Sequence, residues 1–304
     1  MYAETRAHFL VIAATFLIAL SFIVSKKLSG LIDPISLTLL RFVFASLCLA
    51  PFILADARYR SKALKSFKRA MLISFFYSLY FIGLFKALEY TTALNTGTLF
   101  TLAPLLTALL AVFVFRQKIT PFQLLIYLIG IVGTCIVVFR GSWELFADFS
   151  LNEGDMIFSF SLVAMALYSV SAKYFYREDD AAIVLSFMTL VGGGIWMAAA
   201  LTFFKIPLGW EKIGGEYFWY MAYLSIGATL LTVYLYQKAT VELGAKKVMA
   251  YVYVNPAFIA VIGFLFEAKS INLYMVLGIL ISAFATLILL RKDEVPLASK
   301  QKAS

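Results

Sequence analysis

Arg41 stands inside an apolar run, residues 35–55, with no acidic residue near it in the sequence. At about 1.5 Å per residue it lies roughly 9 Å below the end of a helix drawn through that run. A guanidinium so placed has two readings. It takes the carboxylate of a solute through its two-pronged donor set, or it snorkels and ties helices together through backbone carbonyls. Uncharged polar groups recur at helical spacing in other apolar runs. Asn95, Thr98 and Thr101 fall at steps of three, and Tyr251 and Asn255 are four apart, so each set shares a helix face. Pro104 and Pro256 follow these sets, and each removes a backbone donor and loosens the carbonyl one turn earlier. Such groups either line a cavity for a polar solute or bond back to their own helix. Tyr80, Tyr168 and Tyr234 add flat apolar rings with a hydrogen-bonding tip, suited to a flat or aliphatic solute.

The chemistry left out is equally informative. No Asp or Glu lies near the middle of an apolar run, and the single histidine, His8, is at the edge of the first. Carboxylate-based proton coupling therefore has no support, and facilitated diffusion or exchange gains weight. No acid–base pair, metal-binding cluster or phosphate-cradling loop is present, so we expect no enzyme activity, metal or cofactor.

The elements that must position these groups follow from composition. The chain has 304 residues, 62% hydrophobic and 14% charged, where soluble domains have about 25% charged. Ten apolar segments are predicted: 8–25, 35–55, 70–88, 94–115, 122–139, 156–175, 182–204, 218–238, 248–266 and 273–290. A membrane-spanning helix needs about 20 apolar residues, so ten spans leave only short connections. The first run is read as a retained span rather than a signal peptide, because Lys26-Lys27 and many similar runs follow it. Cys48 and Cys135 sit inside apolar runs as hydrophobic filler. The net charge of +9 is an orientation signal, not one for nucleic acid. The loops on the side of the N-terminus hold 18 Lys or Arg and the other side 7, predicting both termini in the cytoplasm.

The sequence also repeats. Lys86-Ala87 and Pro104 match Lys238-Ala239 and Pro256 at one offset of 152 residues. Such an offset moves the chain by five spans, an odd number, so the second half enters the bilayer in the opposite direction. Inverted repeats of this kind are typical of secondary transporters with a site near the midplane. The expected organisation is a first five-helix repeat over 1–140, an external linker over 141–155, a second repeat over 156–292 and a cytoplasmic tail over 293–304.

With these features the chain resembles the drug/metabolite transporter superfamily, EamA-type. The resemblance is carried by Asp33-Pro34 to Arg41-Phe42, Ala87-Leu88-Glu89-Tyr90, Ala103-Pro104-Leu105 and Lys118-Ile119-Thr120, and covers essentially the whole chain. It departs at Ala19-Leu20-Ser21-Phe22, where a tryptophan–glycine pair is usual, and at Phe115-Arg116-Gln117, where glycine–glutamate is common. The resemblance implies an all-α membrane protein of ten helices that moves small polar or amphipathic metabolites by alternating access. It implies amino-acid-like cargo and export. Two rivals stay open: uptake or exchange of a nucleoside-type metabolite, with tyrosines stacking the base, and a non-transporting receptor or scaffold. The partners expected are a small solute and the lipid bilayer, with no nucleic acid. Oligomeric state is unreadable, because small-residue pairs such as Gly130/Thr134 and Gly278/Ser282 serve either a dimer or packing within the chain.

Overall fold

Long apolar stretches punctuated by capping residues fold here into helices, and no strand occurs among the described residues. The structure, a computed structural model, describes residues 2–91, 93–116, 119–148, 152–177, 179–267 and 271–291. In chain order the helices are α1 (Tyr2–Leu28), α2 (Pro34–Ala55), α3 (Ala57–Tyr90), α4 (Ala93–Phe100), α5 (Ala103–Phe115), α6 (Pro121–Val138) and α7 (Trp143–Ala147). They continue as α8 (Glu153–Tyr174), α9 (Ala182–Phe204), α10 (Glu216–Ala222), α11 (Thr232–Leu243), α12 (Ala245–Ala250), α13 (Asn255–Glu267) and α14 (Leu273–Arg291). Nine stretches among the described residues are long and apolar enough to cross a bilayer, and α5 is a shorter apolar helix beside them.

Local chemistry explains several starts. Asp33 accepts from the Ile35 amide, with Pro34 as the first helical residue of α2. Thr120 and Gln123 form a capping box ahead of α6, and Asn152 and Asp155 form one ahead of α8. Asp56 caps α3 and also accepts from the Arg58 guanidinium, whose hydrogen bond holds the Asp56 carboxyl below its usual range.

Expectations about the third, fourth and ninth spans need correction, and the eighth is one continuous span with an irregular middle. Residues 56–69, read as a basic loop, are the first turns of α3, which is 34 residues long. Asp56 supplies the cap, and Ala, Lys and Arg propagate a helix well, so the third span continues beyond its apolar part. The fourth span is not one helix, because it breaks at Thr101–Leu102 and restarts at Ala103 with Pro104 in its first turn. Proline suits a first turn, where its missing donor has no partner to lose. The eighth span passes from α10 through nine residues of π-helix, Tyr223–Leu231, into α11.

The ninth span is interrupted in the same way as the fourth: a 3-10 segment, Tyr251–Val254, joins α12 to α13, and Pro256 is the second residue of α13. The offset of 152 carries Thr101–Leu102 onto Tyr253–Val254, so both breaks fall at corresponding places.

The end of the bundle where α1 begins is called the near end, and the end where α1 finishes the far end. At the centre α3 packs against α8 and α9, α2 against α9, and α1 against α11, while α6 pairs with α14 around smaller separate clusters. The outer surface is apolar: Phe113 and Phe160 are each 79% exposed and Phe203 is 80% exposed. A soluble protein does not present so much contiguous hydrocarbon to water, whereas a bilayer covers it.

At the near end, Arg69 of α3 donates to Asp180 at 2.8 Å and to the Phe175 carbonyl at 2.7 Å. This bidentate pair fastens α3 to the segment between α8 and α9. Asp180→Ala should lower stability by about 2 kcal/mol, since it strands a charged donor set in a mostly buried place. The thermal midpoint in detergent measures this, and an unchanged midpoint would contradict it.

Candidate functional site

Near the centre, α1, α3, α4, α8, the π-helical stretch and α11 line a small cavity. Its wall is built from Ile18 and Ser21 of α1, from Tyr77, Tyr80, Phe81 and Leu84 of α3, and from Phe100 of α4. Met165 and Tyr168 of α8, Ala228 of the π-helix, and Thr232, Val233 and Tyr236 of α11 complete it. The volume is about 30 Å³, room for one or two waters rather than a metabolite. Helix periodicity assembles the wall: Tyr77, Tyr80, Phe81 and Leu84 lie at i, i+3, i+4 and i+7 on α3, and Thr232 and Tyr236 at i and i+4 on α11.

The rings contact one another closely. Tyr77 and Tyr168 have centroids 4.4 Å apart at 30°, and Phe81 stands edge-on to Tyr77 at 4.9 Å. Tyr80 packs against Phe81 at 5.2 Å and Phe100 at 6.3 Å. The Tyr168 and Tyr236 hydroxyls are buried and make no hydrogen bond of ordinary geometry, although Gln237 and Thr15 lie beside them. Gln237 itself is held by α9, accepting from Ser186 at 3.2 Å and donating to Thr189 at 3.0 Å.

Arg41 lies behind this wall and is 1% exposed. Its Nε and one terminal nitrogen donate to Thr229 Oγ1 at 3.1 and 2.7 Å, and the same terminal nitrogen reaches the Leu224 carbonyl at 3.3 Å. Both acceptors belong to the π-helical stretch, a distortion frequent at functional sites. The guanidinium rests over the Phe81 ring, 4.3 Å from its centroid, and over Phe85 at 5.4 Å. The other terminal nitrogen has no hydrogen-bond partner.

A second polar cluster closes the far end. Asp155, in the first turn of α8, is fully buried and accepts from Thr91 Oγ1 at 2.6 Å, Asn95 Nδ2 at 3.0 Å and the Asn152 amide at 3.0 Å. Lys26 of α1 donates to the carbonyls of Leu88 and Thr91 at 2.6 and 3.0 Å. The Gly154 backbone lies so close to α3 that a Cβ there would meet the Ala87 carbonyl at 2.6 Å.

The residues singled out from the sequence are therefore divided. Tyr80 and Tyr168 are brought together in the cavity wall, and Arg41 lies behind it. Asn95 is part of the far-end cluster, and Thr101 is buried in the turn between α4 and α5. The Thr98 side chain lies outside the described residues. Because the span breaks at Thr101, steps of three do not define one continuous face there. Tyr251 is 2.6 Å from His8 through its hydroxyl and Nδ1. Asn255 is buried at the junction of the 3-10 segment and α13, its amide atoms without partners. Tyr234 is half-buried, with the Lys238 ammonium 5.8 Å from its ring centroid. Sequence reasoning passed over Phe81 as a partner of Arg41 and Asp155 as a buried acceptor. The sign of the second was the capping-box spacing from Asn152 to Asp155; nothing local pointed to the first.

The sequence profile of the EamA-like transporter family matches the chain twice, over residues 5–139 and 152–291. The chain belongs to the EamA-like transporter family. It is similar to the uncharacterized transporter YyaM of Bacillus subtilis (strain 168), 26% identical over 203 residues, a match spanning 67% of this chain and 65% of that protein. A second relative, the uncharacterized transporter YetK of the same organism, is 23% identical over 80% of this chain and 74% of its own. A solved crystal structure superposes with a TM-score of 0.72 over 99% of both chains at 17% identity, a likeness of fold. The two family matches end and begin on either side of the α7 connection, so each covers five of the expected spans.

Proposed function

We infer that this protein is a secondary transporter of a small amphipathic metabolite, working by alternating access between two inverted five-helix halves in the cell membrane. The observation that carries this reading is the central cavity, whose wall takes aromatic and hydroxyl groups from spans of both halves. The matched breaks of spans four and nine support the halves as repeats, since interrupted helices are what transporters of this kind place around their sites. The excess of basic residues at the near end supports that end as cytoplasmic. With about 30 Å³ of free space, the cavity is too small for a metabolite, and cargo enters when the halves move apart. Amino-acid-like cargo and export are the direction in which the family resemblance points.

Solute counterflow in proteoliposomes tests the reading. The purified chain should accelerate exchange of at least one labelled metabolite across a panel of amino acids, organic acids and nucleosides. Tyr168→Ala, which strips one wall of the cavity, should cut that exchange about tenfold per folded molecule, measured against the folded fraction because loss of a buried ring also lowers stability. Folded protein that exchanges no member of the panel would count against transport and for a receptor or scaffold.

A further inference from the structure

We propose that the central site recognises an amphipathic organic carboxylate through Arg41, with Phe81 as the movable cover between guanidinium and cavity, and that an amino group on the solute is no part of the recognition. This rests on the transport reading above and, within its class of small amphipathic metabolites, puts deaminated carboxylates in place of amino-acid-like cargo.

The argument begins with an uncompensated charge. A buried cation is tolerated where it is paired and hydrogen-bonded. Among the described residues, Arg41 makes no ion pair. Its partners are one hydroxyl, one carbonyl and two phenyl faces, and one terminal nitrogen keeps its donors unused. Tying α2 to the π-helix would need only neutral partners and no unused donor. What the arrangement lacks is an anion.

The cavity lies where that anion would arrive. Phe81 lines the cavity and covers the guanidinium, and Thr229, which holds Arg41, directly follows the cavity residue Ala228. The Phe81 ring is thus shared by the guanidinium and the cavity wall, and a change of side-chain rotamer at such a contact is common on binding. A carboxylate brought past Phe81 would form a charge-assisted hydrogen bond to the free nitrogen. Its apolar body would lie against Tyr77, Tyr80 and Tyr168.

The ring faces of the wall attract an ammonium only modestly, and the buried Arg41 charge beside them opposes one. The wall contains hydroxyls and rings but no carboxylate, so an ammonium would be desolvated beside a like charge with no counter-ion. An amino acid carries that penalty on its α-amino group, and the corresponding deaminated acid does not.

The test uses four probes of one skeleton: 3-phenylpropionate, its amide, 3-phenylpropylamine and phenylalanine. Each is titrated against the full chain in detergent by thermal shift, and as an inhibitor of counterflow. The expected result is that 3-phenylpropionate binds about tenfold or more tighter than the amide, the amine and phenylalanine. Arg41→Gln should erase that preference and Arg41→Lys should retain part of it. If Arg41→Gln does not fold, the ranking on the native protein and the lysine variant decide. Equal or tighter binding of the amide or amine, or a preference that survives Arg41→Gln, overturns the proposal. Exchange of a neutral or cationic solute with no carboxylate bound overturns it while leaving the transport reading standing. Folded protein that exchanges nothing overturns both.

Discussion

Gly278→Leu is expected to leave little monodisperse protein in detergent and to lower the thermal midpoint sharply. A Cβ at Gly278 would stand 2.7 Å from the Gly133 carbonyl and 2.9 Å from the Val137 amide. On the facing helix, a Cβ at Gly133 would meet the Ser282 amide at 2.8 Å. These are backbone atoms, which no rotamer change can move, so α6 and α14 must separate. Helices in lipid are held by close packing and hydrogen bonds, with little hydrophobic force to offset a gap. Thr134 and Ser282 hydroxyls, 3.5 Å apart, would part as well. Overpacking alone costs about 1–3 kcal/mol, and a four-carbon side chain against backbone should reach or pass the upper value. Fluorescence-detected size exclusion and a melting curve measure the effect. A midpoint close to the native one would refute the contact. This geometry assigns the Gly130/Thr134 and Gly278/Ser282 pairs to packing within one chain.

Asp155→Ala should open the far end. The carboxylate gathers donors from Thr91, Asn95 and Asn152, and so joins the end of α3 and the start of α4 to the start of α8. The N-terminus of α8 favours a negative charge there. Removing it takes away the acceptor that these three donors share, and the buried Thr91 hydroxyl alone accounts for about 1–3 kcal/mol. Asn152 also loses its capping-box partner. Since the cluster fastens the two family-matched segments to each other, the loss should favour a conformation in which the far end parts. Labelling of Ser21→Cys, in a chain with Cys48 and Cys135 replaced by alanine, reads this out. With the far end external, as proposed above, a membrane-impermeant thiol reagent outside whole cells should react about tenfold faster in the Asp155→Ala protein. Asp155→Asn keeps the volume and one acceptor, and its effect should fall between. Equal labelling in all three proteins would show that the cluster does not hold this end shut.

These two contacts mark where reading the sequence stops. The small residues of α6 and α14 are visible in the sequence, but their partners are 148 residues apart at Thr134 and Ser282, and no local pattern pairs them. Asn95 reads as a cavity residue by spacing, yet the chain breaks at Thr101, and the Asp155 acceptor arrives from another helix. The basic stretch 56–69 reads as a loop from charge, although its composition permits the helix that Asp56 caps. Tyr80 and Tyr168 were legible as aromatic groups with a polar tip. That Tyr168 lies 4.4 Å from Tyr77 depends on how α8 crosses α3.

Order along the chain is enough to make this a membrane protein of many apolar helices. Apolar length, charge asymmetry and the 152-residue offset are properties of order along the chain, and hydrophobic transfer acts on them segment by segment. The tertiary structure alone decided which polar side chains meet. An Arg41 resting on Phe81 with one nitrogen unused, or an Asp155 ringed by donors, results from helices distant in sequence packing at particular angles. That packing is set by close steric fit, summed over many small contacts that no single segment contains.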